Sequence, residues 1–246
     1  MQIYQELSIL TARPTLEQET ETPHRLYGAL SGQEACSAAH WLTLARHAID
    51  ETRKAGKLPI VTGGTGLYIK TLMEGLSPIP GVPEAVHAEA TLLWETDGAQ
   101  ALLSRDPVLG ARLTAGDTQR HIRALGVLLA TGKSLAYWQA LPRMPPYPNA
   151  TFTIAIVDMS RADLYARCDA RFLTMLDAGA LDEVKTLRAM QLSSDLPIMR
   201  AVGLPELIGF LEGKWDRDEA ISKAQQATRN YAKRQLTWFR NQLKSS

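Results

Sequence analysis

The chain has 246 residues, 45% hydrophobic and 22% charged, with a formal net charge of +1, which suits one large domain or a domain carrying an insert. Its two cysteines, Cys36 and Cys168, lie far apart in no metal-ligand or redox spacing, which argues against a disulfide framework or zinc site and for a reducing cytoplasm. The first ten residues lack the basic start and apolar centre of a signal peptide, and no apolar stretch approaches a spanning helix, so no membrane association is expected.

From about Ser37 to Lys54 an Ala- and Leu-rich stretch has helical spacing and stops at Gly56. The short apolar run Leu58-Pro59-Ile60-Val61 behind it reads as a buried strand, which Gly63-Gly64-Thr65-Gly66 turns into a helix over Leu67–Met73. Three prolines and a glycine between Ser77 and Pro83 mark a junction or hinge. Glu84 to about Ala140 has helical composition throughout and reads as an all-helical insert, closed by the proline-rich stretch Pro142–Pro148. Thr151–Val157 then reads as a second buried strand ending at Asp158, and helices follow at about Arg161–Ala178, Leu181–Met190 and Asp218–Leu243. Residues 1–80 and 150–246 thus form two parts of one α/β core, and 81–149 form the insert.

Several constellations along this chain can carry chemistry. Gly63, Gly64 and Gly66 let backbone N–H groups approach an anion at a helix start, with the Thr65 hydroxyl beside them; the plainer reading is that the turn needs glycine for its backbone alone. Gln119 and Arg123 share a helix face at i and i+4 and can reach one RNA strand, while the plainer reading is a solvated helix start with Asp117 as N-cap. Gly132-Lys133-Ser134 is not a P-loop, because Gly126 is one residue too distant and a helix precedes it where a strand is required. From Ile221 to Ser246 every charged residue is basic: Lys223, Arg229, Lys233, Arg234, Arg240 and Lys244. Tyr231, Trp238 and Phe239 interleave with them, a pattern that suits RNA or pyrophosphate as well as a cation-rich helix end over a core.

In chain order, GGTGLY at Gly63–Tyr68, EGL at Glu74–Leu76, the D-x-Q-R-x-x-R pattern at Asp117–Arg123, LPIMRAVG at Leu196–Gly203 and ATRNYAKRQLTWFR at Ala227–Arg240 resemble the tRNA dimethylallyltransferase family. The resemblance spans essentially the whole chain. It implies an α/β fold with a P-loop NTPase-like parallel-sheet core and an all-helical insert that grips the anticodon stem-loop. It also implies transfer of a dimethylallyl group from dimethylallyl diphosphate to the exocyclic amine of the adenosine beside the anticodon, with Mg²⁺ on the departing pyrophosphate, in a cytoplasmic monomer.

Carried over residue by residue, the resemblance implies tRNA contacts at Met1, Gln2, Thr65, His87, Gln119, Arg120, His121, Ile122 and Arg123. Diphosphate contacts are inferred at Gly63, Gly64, Arg200, Arg229 and Lys233, and no metal ligand is assigned. His87 stands where the family usually has arginine, and a neutral imidazole contributes less to phosphate binding. Met1-Gln2-Ile3-Tyr4 resembles the residues just after the family's Asp-Ser pair, so the general-base aspartate, the P-loop and the first strand are expected ahead of Met1. The chain as given is therefore expected to catalyse poorly. The alternatives are a non-catalytic tRNA-binding remnant and a prenyltransferase acting on free adenine nucleotides.

Overall fold

The computed structural model describes residues Met1–Gln242; Leu243, the expected end of the last helix, and Lys244, the last of the basic residues, lie outside the described residues. Twelve α-helices follow one another among the described residues: α1 Leu16–Glu21, α2 Ala38–Lys54, α3 Gly66–Glu74, α4 Glu84–Asp97, α5 Gln100–Leu103, α6 Pro107–Gly110, α7 Thr118–Thr131, α8 Leu135–Ala140, α9 Arg161–Asp177, α10 Ala180–Ala189, α11 Leu204–Leu211 and α12 Arg217–Gln242. A 3₁₀ turn at Pro197–Arg200 precedes α11. Local chemistry sets the boundaries: the side chains of Ser37, Asp117 and Ser160 accept hydrogen bonds from the first-turn N–H groups of His40, Arg120 and Asp163. Gly132, in the left-handed conformation at φ 68°, ends α7.

The chain divides into two compact units. One comprises Met1–Ile69 with the chain from Thr151 onward, and the other is Lys70–Ala150. The first division falls inside α3, ahead of the proline-rich stretch. Glu74 and Gly75 belong with the second unit because Arg143 Nη1 pairs with Glu74 Oε2 at 2.9 Å and Gly75 packs directly on the Met144 backbone.

In the first unit, Tyr4, Leu7, Phe172, Val184, Leu187, Ile198 and Leu204 form the centre of an apolar core. Glu183, in the first turn of α10, fastens the N-terminal segment to it. Its carboxylate accepts hydrogen bonds from Ser8 N and Oγ, Ile9 N and Leu10 N at 2.5–2.9 Å, satisfying loop donors that no ladder serves. Along α12 the residues buried are the small Ala220, Ala224 and Ala232, and small side chains let the neighbouring α9 and α11 approach closely. In the second unit, Ala90, Leu102, Leu109 and Leu125 form a separate core.

The two expected strands differ from expectation. Tyr4 and Leu30 form a single parallel bridge, and neither Leu58–Val61 nor Thr151–Val157 is a strand among the described residues. Leu58 and Val157 are 82% and 86% exposed, and Ile60, Ile154 and Ile156 are exposed as well. A strand is defined by its partners, and these runs have the composition for one without a neighbour to complete the ladder.

Candidate functional site

Two surfaces, one on each unit, gather most of the residues that the sequence singles out. On the first unit the glycine turn lies under α12. A Cβ at Gly64 would overlap the Gln235 side-chain amide, and one at Gly66 would overlap the Trp238 indole. Close approach by another helix is therefore the reason for glycine at 64 and 66, whereas Gly63 has open space around its Cα. Thr65 is exposed between them, and its carbonyl accepts the N–H groups of Tyr68 and Ile69 at 2.9 and 3.3 Å as α3 begins.

The same half of α12 presents an open concavity of about 490 Å³ lined by Asn230, Lys233, Arg234, Thr237, Trp238, Asn241 and Gln242. Lys233 and Arg234 are exposed cations there, and the Arg234 guanidinium sits 5.8 Å from the centre of the Tyr231 ring. At the edge of this region Arg240 pairs with Asp158 at 3.6 Å, an exposed contact that adds little stability.

The five residues assigned to diphosphate fare differently. Lys233 is free to meet an anion. Arg200 is exposed and only loosely paired, 4.0 Å from Asp195. Arg229 is paired: its Nη1 donates to both carboxylate oxygens of Asp169 at 2.6 and 2.7 Å, and its Nη2 donates to Gln226 Oε1 at 2.9 Å, which joins α12 to α9. At the N-terminus, Gln2 uses its amide on the Ala12 carbonyl at 2.9 Å and its own carbonyl on the Gly28 N–H, while Met1 stays exposed.

On the helical unit, α7 separates the D-x-Q-R-x-x-R run by face. Gln119, Arg120 and Arg123 are exposed, with Arg120 Nε 3.2 Å from Asp117. His121 is buried and Ile122 half-buried. His121 is 0% exposed, bonds through Nδ1 to the Asp117 carbonyl at 3.0 Å, and lies 4.8 Å from the Trp94 ring centre. Ile122 packs on the second core. A helix of period 3.6 cannot turn five consecutive residues to one side. His87 is exposed in the first turn of α4.

Gln235 and Trp238, which sequence reading treated only as parts of a motif, prove to close over the glycine turn. Their i, i+3 spacing puts both on one helix face, and the alternate glycines at 64 and 66 signal a close neighbour. Among the described residues no group of three His, Cys, Asp or Glu side chains is placed to hold a metal ion.

A glycine turn beneath a helix rich in cations and aromatics is a surface whose chemistry suits an anionic ligand. The particular family follows from comparison. Residues 2–242 match the IPP transferase family, and the chain belongs to it. The tRNA dimethylallyltransferase of Rhodospirillum centenum is 51% identical, over 99% of this chain and 79% of its own length, and that of Paramagnetospirillum magneticum is 49% identical over 100% and 79%. Among solved structures, the tRNA isopentenylpyrophosphate transferase of Bacillus halodurans aligns at a TM-score of 0.64 with 31% identity, covering 98% of this chain and 76% of that one. The Staphylococcus epidermidis tRNA delta(2)-isopentenylpyrophosphate transferase aligns at 0.67 with 29% identity, covering 100% and 81%.

Proposed function

We propose that this chain serves tRNA modification as a prenyltransferase, moving a dimethylallyl group from dimethylallyl diphosphate to the exocyclic amine of the adenosine adjacent to the anticodon. The observation that carries this reading is the match of relatives named tRNA dimethylallyltransferase to nearly every residue at about half identity. The exposed donors of both units support it. Gln119, Arg120 and Arg123 offer an amide and two guanidinium groups on one exposed surface of α7, suited to the backbone and unstacked bases of a stem-loop. Thr65 offers a hydroxyl at the turn. Lys233 and Arg200 are the cations for the diphosphate, whose departure builds negative charge that cations and N–H groups must offset. The target adenine has to leave its stack to be reached.

The remaining residues act by support. His121 and Ile122 hold α7 in the helical unit, and Arg229 holds α12 on α9. Mg²⁺ on the departing pyrophosphate stands as a family expectation. The setting proposed is a cytoplasmic monomer.

A second reading is RNA binding without catalysis, for which the exposed Gln119, Arg120 and Arg123 of α7 suffice by themselves. Prenyl transfer from labelled dimethylallyl diphosphate separates the readings, using an anticodon stem-loop and AMP as acceptors. It is run with the 246-residue chain and with the same chain preceded by a family P-loop segment. The expected result is modification of the stem-loop alone. Tight binding with no turnover in either form supports the second reading, and modification of AMP overturns the tRNA assignment.

A further inference from the structure

We infer that Tyr68 is a positioning residue for RNA binding, fixing Thr65 in place by anchoring the first turn of α3 to the loop at Cys36. The inference rests on the proposed role of Thr65 as an RNA contact. Tyr68 lies one turn into α3, and its N–H bonds the Thr65 carbonyl at 2.9 Å, so the placement of one sets the placement of the other. Its hydroxyl donates to the Cys36 carbonyl at 3.2 Å, and its ring stacks on Trp41 with centroids 4.6 Å apart and planes 18° from parallel.

The anchor point is itself fixed. The Cys36 N–H donates to the Tyr4 hydroxyl at 3.1 Å, and Tyr4 is 1% exposed in the core of the same unit. Two phenols thus hold the backbone of Cys36 from either side, immediately before Ser37 caps α2. Across the turn, Gln235 and Trp238 close against Gly64 and Gly66. Thr65 is gripped on both flanks while its own side chain stays exposed. Burial also pushes the Tyr68 phenol pKa up, so the hydroxyl remains a donor at physiological pH.

The experiment measures Kd for an anticodon stem-loop by fluorescence anisotropy with wild type, Thr65→Ala, Tyr68→Phe and the double variant, alongside thermal unfolding of each. Tyr68→Phe keeps the stack on Trp41 and removes only the anchoring hydroxyl. Thr65→Ala is expected to raise Kd about tenfold and Tyr68→Phe roughly threefold to tenfold, the range of one hydrogen bond. The double variant should bind no more weakly than Thr65→Ala alone, because Tyr68 acts through Thr65. Tyr4→Phe, which frees Cys36 from the opposite side, should raise Kd in the same direction. A Tyr68→Phe variant with lowered Tm but unchanged Kd overturns the inference, as does a double variant whose losses multiply. An unchanged Kd in Thr65→Ala overturns the underlying assignment of Thr65 and this inference with it.

Discussion

Gly64 and Gly66 answer differently to the same added methyl. At Gly66 the obstacle is the rigid Trp238 indole, whereas at Gly64 it is the end of the flexible Gln235 side chain. Gly66→Ala is therefore expected to destabilise the protein by about 1–3 kcal/mol and Gly64→Ala by clearly less. Gly116→Ala, which has open space, serves as the control in urea unfolding; equal midpoints for Gly66→Ala and Gly116→Ala would show that Trp238 does not close over the turn. The phenols near Cys36 give a pH signature. Burial raises the pKa of Tyr68 and Tyr4 above the ordinary 10.0 and that of the Cys36 thiol above the ordinary 9.0. Above those ordinary values the unfolded chain releases protons that the folded chain keeps, so stability is whole below about pH 9 and falls as pH rises beyond it. Urea midpoints measured from pH 8 to 11 should decline, and decline less steeply in Tyr68→Phe.

At the scale of an element, α12 carries two kinds of cation. Arg229 is three-quarters covered and bidentate to Asp169, while Lys233 is exposed beside the concavity. Arg229→Lys gives up the fork that matches the carboxylate and should lower stability by about 1–2 kcal/mol with little change in diphosphate affinity. Lys233→Ala should leave stability within about 0.5 kcal/mol and weaken diphosphate binding about tenfold, the loss of one charge-assisted hydrogen bond. Urea unfolding and titration with dimethylallyl diphosphate check both, and the reverse pattern would make Arg229 the phosphate contact and Lys233 the structural cation. The i, i+4 rows of α12 are plain in its sequence. Which cation has an acidic partner depends on Asp169, sixty residues away on α9, and no local pattern contains it.

For the whole molecule, the exposed apolar runs are the feature that solution measurement can test most directly. Among the described residues, the amides of 58–61 and 151–157 make no backbone hydrogen bonds, whereas Ala220–Ala232 lie within the ladder of α12. Hydrogen exchange should be fast in the two runs and slow in the middle of α12; protection of 58–61 or 151–157 would show that they pair in solution. Helices α2, α3, α9, α10 and α12 were legible from the sequence to within a few residues because caps, glycine stops and 3.6-residue spacing are local, whereas α1, α11 and most of the separate helices of the insert were not read from it. Family membership was legible because GGTGLY, D-x-Q-R-x-x-R and ATRNYAKRQLTWFR keep their identities and order along one chain. The sequence by itself thus determined the longer helices of the first unit and the family. Only the tertiary structure decided that Gln119 and Arg123 face outward while His121 is buried against Trp94, that Arg229 is held by Asp169, and that Trp238 makes glycine necessary at 66. These are contacts between residues far apart in the chain, and a side chain's burial and partners depend on which distant surfaces folding brings against it.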